Sequence, residues 1–436
     1  MREWSPERVG ERIERVGRDC GASRALRRAL LKEISGHVRV DAYAWLLCDP
    51  ETEVGCDPVA DVPCMPQLPK LIRLKYATDT NRWTRMKTPV ARLLVATDGR
   101  PERSLVWREL LAAHDVIDVA SLVFRDRFGC WAFLDLWRVG SAEPFTDRDA
   151  AYLQAIASPV TAALRRAQAK TFHIPDAAPA PAGPAVLVLS PDLRVRAQTP
   201  ETEAYLRALV PPAADRQPIP AGAYNVGAQM LACEHGVDGH PPRARVHLGQ
   251  GVWMTLRAAR IVKSDMTDPD IAVTIEPTSP NERMGLFSLA HGLTKREAEI
   301  VAACARGRDT RDLARELFVS ENTVQDHFKS IFAKALLISA GLALLVPAAW
   351  LVGEGRLLAG VVAALLIALE VGLLLGVQML LIPTALELLR VYAELIEQSC
   401  VLLRIYLIDS LQLLRGLLVI STELAYQMTR WRSSGG

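Results

Sequence analysis

The sequence lacks any arrangement of residues that is typical of a catalytic centre. We find no pairing of a nucleophile with a general base and no glycine-rich phosphate loop. The eight cysteines are scattered, and Cys48, Cys56 and Cys64 recur at a spacing that matches no standard zinc site. We therefore expect a protein that is not an enzyme and that uses neither a metal nor a cofactor.

An export signal is also missing from the start of the sequence, which is charged and amphipathic rather than basic and then apolar. Together with the scattered cysteines, this absence predicts reduced, cytoplasmic N-terminal domains. The formal net charge is only +2, so the overall charge does not indicate a polyanionic partner. The location of the charges is more informative than their sum.

One group of histidines and a cysteine occurs in a stretch that is rich in glycine and proline. Its members do not have the spacing of a standard metal site; they are Cys233, His235, His240 and His247. We expect these histidines to be solvated loop residues.

Residues 293–334 carry the strongest local pattern, which predicts three helices. Thr294, with Glu297 three residues later, is the signature of a capping box at the start of the first helix. We expect Gly307 to end this helix and Asp309 to cap the second. The apolar residues at helical spacing are Ile300, Val301, Cys304, Ala305, Leu313, Ala314 and Leu317.

A tight turn at Phe318 and Val319 should precede the third helix, and Ser320 should cap it. The apolar face of this helix consists of Val324, Phe328 and Ile331. Its opposite, polar face consists of Asn322, Gln325, Asp326 and Lys329. A helix held on a small core, with amide and cationic side chains pointing outward, suits the major groove of DNA. The pattern therefore predicts a helix-turn-helix.

This segment resembles the LuxR-type family of helix-turn-helix regulators. The matching residues are Leu293, Thr294, Arg296, Glu297, Ala298, Glu299, Gly307, Leu313, Ala314, Val319, Ser320, Asn322, Thr323, Val324, His327, Ile331 and Lys334. The resemblance implies contact with double-stranded DNA through Asn322, Thr323, Gln325, Asp326, Lys329, Lys334, Arg308 and Arg311. A glutamine can pair with adenine, and an aspartate can accept from cytosine. The alternative is a plain three-helix segment without a DNA-binding role.

The same segment is only weakly basic, because its lysines and arginines barely outnumber its acidic residues. A single module with so little excess positive charge should bind DNA weakly. We therefore expect a homodimer or a higher oligomer that reads two half-sites.

Residues 5–172 are expected to form a first domain of mixed helices and antiparallel strands. The predicted elements are helical residues 5–34, strands at 43–48 and 91–97, a hairpin of 119–125 with 130–137, and a helix at 147–169. Their order resembles the GAF sensor fold, which implies a pocket for a small-molecule ligand between sheet and helices. The aromatic residues expected to line it are Trp45, Trp131, Phe133 and Trp137. The alternative is that they only pack in the core.

Residues 173–184 form a linker rich in proline and alanine. Residues 185–278 are expected to form a second domain. Its predicted elements are strands at 185–189, 193–197, 244–248, 252–259 and 271–276 and a helix at 200–209. This order resembles a PAS-like sensor domain.

The sequence departs from the LuxR pattern after Lys334, where family members continue with a short turn and a fourth helix. Here residues 335–353 are uncharged, and residues 357–383 carry one charge, Glu370. Two such runs predict a two-span transmembrane hairpin over residues 335–383, with membrane lipid as a partner. Residues 384–436 then predict an amphipathic, cytoplasmic helical tail. Alternatives are a buried helical hairpin in a soluble protein and a tail joined to the regulator by fusion.

The predicted fold is a multidomain α+β protein with GAF-like and PAS-like antiparallel sheet domains. An all-α helix-turn-helix at residues 286–334, lacking its usual fourth helix, and a helical transmembrane tail follow. The leading hypothesis is a transcriptional regulator whose sensor domains control DNA binding and whose tail tethers it to the inner face of the cell membrane. The alternative is a membrane-anchored signalling or oligomeric assembly protein in which the truncated helix-turn-helix no longer binds DNA.

Overall fold

The computed structural model contains two compact units, Met1–Leu293 and Thr294–Gly436. It describes residues 5–19, 23–173, 183, 185–209, 217–249, 252–261, 269–306, 308 and 310–335. Within these ranges, no helix is long and apolar enough to cross a bilayer. The predicted transmembrane hairpin and amphipathic tail, residues 335–436, lie outside the described residues except for Ala335. Most of the predicted linker lies outside them as well.

Five antiparallel strands form the first sheet. They are β1 (Ala42–Cys48), β2 (Gly55–Asp61), β3 (Val90–Arg92), β4 (Val116–Asp126) and β5 (Gly129–Val139). Their order in the sheet is β2-β1-β5-β4-β3. The predicted hairpin is confirmed as β4 and β5, which pair along most of their length. Nearly every residue of these two central strands is buried, because helices pack on the sheet.

Six helices accompany this sheet. They are α1 (Pro6–Asp19), α2 (Ser23–Ser35), α3 (Leu68–Ala77), α4 (Leu93–Ala96), α5 (Leu105–Glu109) and α6 (Asp147–Lys170). α1, α2 and α6 pack together, and α6 also contacts β3, β4 and β5. α3, α4 and α5 contribute to a separate apolar cluster that includes Val119 and Trp137 of the sheet. α6 begins at Asp147, as predicted, and a capping box formed by Thr146 and Asp149 stabilises this start.

The predicted strand at residues 91–97 is wrong. β3 ends at Arg92, and the chain continues directly into the short helix α4. A short apolar run has too few residues to show whether its period is that of a strand or of a helix. β2 was not predicted because its sequence includes a proline and two acidic residues. Its position at the edge of the sheet, paired only with β1, tolerates that composition.

The second sheet also has five antiparallel strands. They are β6 (Ala185–Leu189), β7 (Val195–Gln198), β8 (Arg243–Gly249), β9 (Val252–Arg260) and β10 (Ile271–Pro277). Their order is β7-β6-β10-β9-β8. The predicted strand at residues 193–197 begins two residues late, because Leu193 adopts a left-handed turn conformation with φ of 62°. The helix α7 (Pro200–Leu209) lies where it was predicted.

A further helix, α8 (Ala221–Glu234), was not predicted from the sequence. Every residue from 221 to 232 is buried, since α8 packs against α3 and β2 on one side and β9 on another. A helix that is buried all round has no polar face. It therefore lacks the amphipathic period by which helices are recognised in a sequence.

The prediction of solvated loop histidines is wrong for part of the group. Cys233 lies near the end of α8, and His235 follows it directly. His247 lies in β8 and packs against the Trp253 ring, with 5.3 Å between ring centroids. Burial lowers the pKa of His247 to about 4. Among the described residues, no group of three or more histidine, cysteine or acidic side chains is arranged to hold a metal ion.

A buried ion pair joins the first sheet to the second. Asp49 follows β1 and Arg245 lies in β8. The Arg245 Nε and Nη2 atoms each donate to an Asp49 carboxylate oxygen at 2.7 Å. The helix α9 (Pro280–Ala290) is attached to the same side chain, because Arg245 Nη1 donates to the Glu282 carbonyl oxygen at 3.2 Å. One arginine therefore links both sheets and α9 within Met1–Leu293.

Candidate functional site

Three helices form the described part of the second unit. They are α10 (Lys295–Ala305), α11 (Thr310–Glu316) and α12, which covers residues 321–335. All three contribute to one small apolar core. Its buried members include Ile300, Ala303, Leu313, Ala314, Val324 and Ile331. Because this core holds α12 against the other two helices, the opposite face of α12 is free to meet a partner.

The predicted helix starts are confirmed where the structure describes them. Thr294 and Glu297 form the capping box of α10: the Thr294 backbone N–H donates to the Glu297 carboxylate, and the Glu297 N–H donates to the Thr294 hydroxyl. Ser320 caps α12, since its hydroxyl accepts from the Thr323 N–H at 3.1 Å. The predicted roles of Gly307 and Asp309 lie outside the described residues.

The predicted turn between α11 and α12 is also confirmed. The Phe318 N–H donates to the Arg315 carbonyl oxygen at 3.3 Å, and the Val319 N–H donates to that of Ala314 at 3.0 Å. Phe318 adopts a left-handed conformation with φ of 54°, which is uncommon for a bulky residue. Its side chain is 94% exposed. The tight turn therefore places an aromatic ring in solvent next to α12.

The polar face of α12 is exposed, as the sequence pattern predicts. Asn322, Gln325, Asp326 and Lys329 are all exposed, and Thr323 is half-buried. Lys329 Nζ lies 2.9 Å from Asp326 Oδ1, one helical turn away. Both side chains are largely in solvent, so this pair contributes little to stability. Either side chain can therefore leave this pair and contact a group on a ligand at a small cost in free energy.

Two further cations that the sequence assigned to DNA contact lie at or near α11. Arg308 Nε is 3.6 Å from a Glu316 carboxylate oxygen, and Arg311 Nε is 3.5 Å from one of Glu321. More than half of each arginine side chain is exposed. These long, solvated pairs leave the guanidinium groups available to phosphate.

Lys334 differs from the other assigned cations because it is engaged with a buried acid. Its Nζ lies 2.5 Å from Glu297 Oε2, and Ser330 donates to Glu297 Oε1 at 2.6 Å. Burial opposes ionisation of Glu297, but hydrogen bonds from Lys334, Ser330 and Thr294 outweigh it and lower its pKa to about 2. Glu297 thus caps α10 and also anchors α12. The sequence indicated only the first role, because the partners are more than thirty residues away.

The aromatic residues that were expected to line a ligand pocket contact different partners. Trp45 stacks on Phe124, with 5.6 Å between ring centroids, and Phe133 stacks on Trp83 at 4.8 Å. Trp131 donates to Asp126 at 3.0 Å. Trp137 lines a small cavity beside β5. All four are buried in the first domain, and of the four Trp137 alone lines that cavity.

The geometry of the second unit agrees with a comparison against protein families. Residues 291–336 match the family described as bacterial regulatory proteins, luxR family. This segment is a LuxR-type helix-turn-helix. It accounts for about a tenth of the chain.

A similar curated protein is an uncharacterized transcriptional regulatory protein of Bacillus subtilis (strain 168), YxjL. It is 30% identical over 116 residues, which are 27% of this chain and 46% of that protein. The chain therefore spans just under half the length of this relative. The LuxR-type match ends at residue 336, one residue after the described part of α12 and where the strongly apolar part of the sequence begins.

Proposed function

We propose that this protein is a DNA-binding transcriptional regulator that uses α12 as its recognition helix. The observation that carries the proposal is the exposed polar face of α12, held on a three-helix core within the LuxR-type segment. Gln325 and Asp326 supply an adenine-pairing amide and a cytosine-accepting carboxylate. Lys329, Arg308 and Arg311 supply cations for phosphate or guanine.

The test is binding of the full chain to duplexes selected from a random pool, measured at several salt concentrations. We expect Lys329→Ala to weaken binding and to lower the slope of log K against log salt by about one if Lys329 contacts phosphate. Gln325→Ala should instead cost about 1–3 kcal/mol on the preferred duplex and relax the preference at one base pair. The matched control is Arg108→Ala, which removes an exposed cation from α5 of the first unit.

Two results would refute the proposal. One is the absence of any salt-dependent DNA binding by the full chain. The other is equal weakening by Lys329→Ala and Arg108→Ala, which would indicate non-specific attraction to the whole surface. Because one weakly basic module binds weakly, a dimer that reads two half-sites is part of the proposal. The selected duplexes should then contain an inverted or direct repeat.

The remaining domains act in this proposal as the input to DNA binding. The first and second sheets resemble GAF-like and PAS-like sensor domains, and a small molecule bound by the first sheet is the expected signal. Support for a connection comes from Arg245, which links Asp49 after β1 to Glu282 at the start of α9. α9 directly precedes the LuxR-type segment. A change in the structure around Asp49 would therefore act on α9 through one buried side chain, that of Arg245.

The membrane tether and the absence of catalysis stay predictions from the sequence. Residues 335–383 are apolar enough for two spans, which would hold the DNA-binding segment at the inner face of the membrane. Fractionation of cells that produce the full chain tests the tether. Recovery in the membrane fraction after a high-salt wash supports it, and recovery in the soluble fraction contradicts it.

A further inference from the structure

Two polar residues face each other in the centre of the first sheet, where apolar side chains are normally found. Asp135 of β5 pairs directly with Ser121 of β4, and the exposed fractions of these residues are 3% and 1%. A buried carboxylate is costly unless it is paired and hydrogen-bonded. The position therefore needs a specific set of partners.

Asp135 has such partners. It accepts from the Ser121 hydroxyl at 2.7 Å and from Trp83 Nε1 at 3.0 Å, and Lys75 Nζ lies 2.8 Å away. The Lys75 ammonium also sits 4.3 Å from the centre of the Trp83 ring. An ammonium has three N–H donors, so contact with one carboxylate oxygen leaves Lys75 able to donate further.

A second donor lies two residues further along β5. Trp137 is 1% exposed, and its indole N–H has no hydrogen-bond acceptor among the described residues. The indole N–H groups of Trp45 and Trp253 also lack an acceptor among the described residues, but of these three tryptophans only Trp137 lines the small cavity beside β5. A buried donor without an acceptor is costly, so the Trp137 N–H favours an acceptor that enters this cavity from outside the chain.

Lys75, Ser121, Asp135 and Trp137 line a cavity of about 20 Å³. This volume accommodates a water molecule or a compact molecule of a few heavy atoms. The apolar part of its wall consists of Leu71, Leu93, Val106, Leu111 and Val119. The cavity therefore combines nitrogen donors, including those of Lys75 and Trp137, and the Asp135 carboxylate with an apolar surface.

We propose that the cavity beside Asp135 binds a small carbonyl compound, such as a short carboxylate or ketone, whose oxygen accepts from Trp137 Nε1 and Lys75 Nζ. The short alkyl group of that ligand packs on the apolar wall. An alkylammonium is disfavoured because it has no oxygen that could accept from Trp137 Nε1 or Lys75 Nζ, and nucleotides and haem are excluded by size. This proposal deepens the sensor role proposed above by naming the ligand class, but the binding itself does not depend on DNA.

The test uses the full chain with ¹⁵N-labelled tryptophan side chains, titrated with acetate, propionate, acetone and ethylammonium. A ligand of about four heavy atoms binds no more tightly than about 10⁻⁵ to 10⁻⁴ M, so titration to about 50 mM is required. Trp137→Phe assigns the Trp137 indole resonance. We expect this resonance to shift saturably with a carboxylate or with acetone, while the Trp131 resonance stays fixed. Comparison of acetate with acetone shows whether the ligand is charged.

The second measurement is the relaxation of the ligand methyl protons, which does not depend on the reporter indole. Trp137→Phe keeps an aromatic side chain, although a smaller one, and deletes the donor, and it should weaken binding about tenfold. Trp131→Phe is the matched control and should leave binding unchanged. The double variant Lys75→Met/Asp135→Leu removes both charges together and should weaken carboxylate binding more than ketone binding.

Three results would overturn the proposal. One is the lack of a saturable shift with any carbonyl compound, which would mean that the cavity holds only water. Another is a shift with ethylammonium that matches the shift with acetate. The third is equal weakening by the Trp137 and Trp131 variants. None of these results bears on DNA binding, so failure of this inference is distinguishable from failure of the proposed function.

Discussion

Removal of one partner from the buried pair Asp49–Arg245 should destabilise the first unit strongly. The Asp49 side chain is fully buried and that of Arg245 is 2% exposed, and three nitrogen atoms of Arg245 donate to the carboxylate. Arg245→Met leaves a buried carboxylate without its cation, which costs about 3–5 kcal/mol. Asp49→Leu should cost somewhat less, about 2–4 kcal/mol, because Arg245 keeps Glu51 at 2.7 Å.

The double variant Asp49→Leu/Arg245→Met should be less destabilised than the two single changes added together. Apolar replacement of both charges removes the desolvation cost along with the attraction. The remaining loss comes from three backbone N–H groups that donate to Asp49, those of Glu51, Thr52 and position 245, at about 1 kcal/mol each. The double variant should therefore lose about 3 kcal/mol, which corresponds to a coupling energy of at least about 2 kcal/mol.

The assay is urea unfolding of the full chain, followed by tryptophan fluorescence. With a slope of about 3 kcal/mol/M, a loss of 4 kcal/mol moves the midpoint by about 1.3 M. The matched control is the pair Arg73–Asp192, which also connects the first domain to the second at 3.3 Å but is largely exposed. Its cycle should give a coupling below about 1 kcal/mol. Additive effects of the Asp49 and Arg245 changes would refute the idea that this pair acts as one unit.

Three further predictions concern single positions. Glu297 has a pKa near 2 in the folded chain, so its contribution of about 3 kcal/mol is present above about pH 4.5 and is lost as the pH falls towards 2. The urea midpoints of the parent and Glu297→Gln should thus converge over that range, and a constant difference would contradict the assignment. Ser320→Ala should cost about 1 kcal/mol through loss of the α12 cap, as measured by thermal unfolding. Gly129→Ala should cost more than Gly99→Ala in the same assay: both glycines have positive φ, but only at Gly129 would a Cβ lie 2.7 Å from the backbone carbonyl oxygen of Pro50. Equal costs would show that backbone conformation alone decides the effect.

The helix-turn-helix was predictable because its signals are local. Thr294 and Glu297 are three residues apart, and the Ser320 hydroxyl accepts from the N–H three residues later. Each cap can therefore be predicted from a few consecutive residues. Strands β4 and β5 were predictable for a similar reason, since a two-residue turn at 127–128 separates two long apolar runs. Local signals of this kind can be recognised without any knowledge of tertiary contacts.

The features that the sequence did not reveal depend on distant partners. Asp49 and Arg245 are almost two hundred residues apart. The residues next to each of them in the sequence do not distinguish it from an ordinary charged surface residue. α8 was missed because burial on all sides removes its amphipathic period. Aromatic character alone does not show which face of a sheet a residue occupies, or whether a cavity lies beside it, so the ligand-lining role of Trp45 stays a prediction.

The charges of the LuxR-type segment divide into two classes with different physical consequences. Lys334 is bound to a buried acid, and its release to a phosphate would leave Glu297 without its cation. Lys329, Arg308 and Arg311 are held only by exposed acids, so their transfer to phosphate costs little. Of the four cations assigned to DNA contact, three are therefore transferable at low cost. Three such contacts give limited affinity, so in the proposed complex we expect base contacts from α12 and a second copy of the chain to supply the rest.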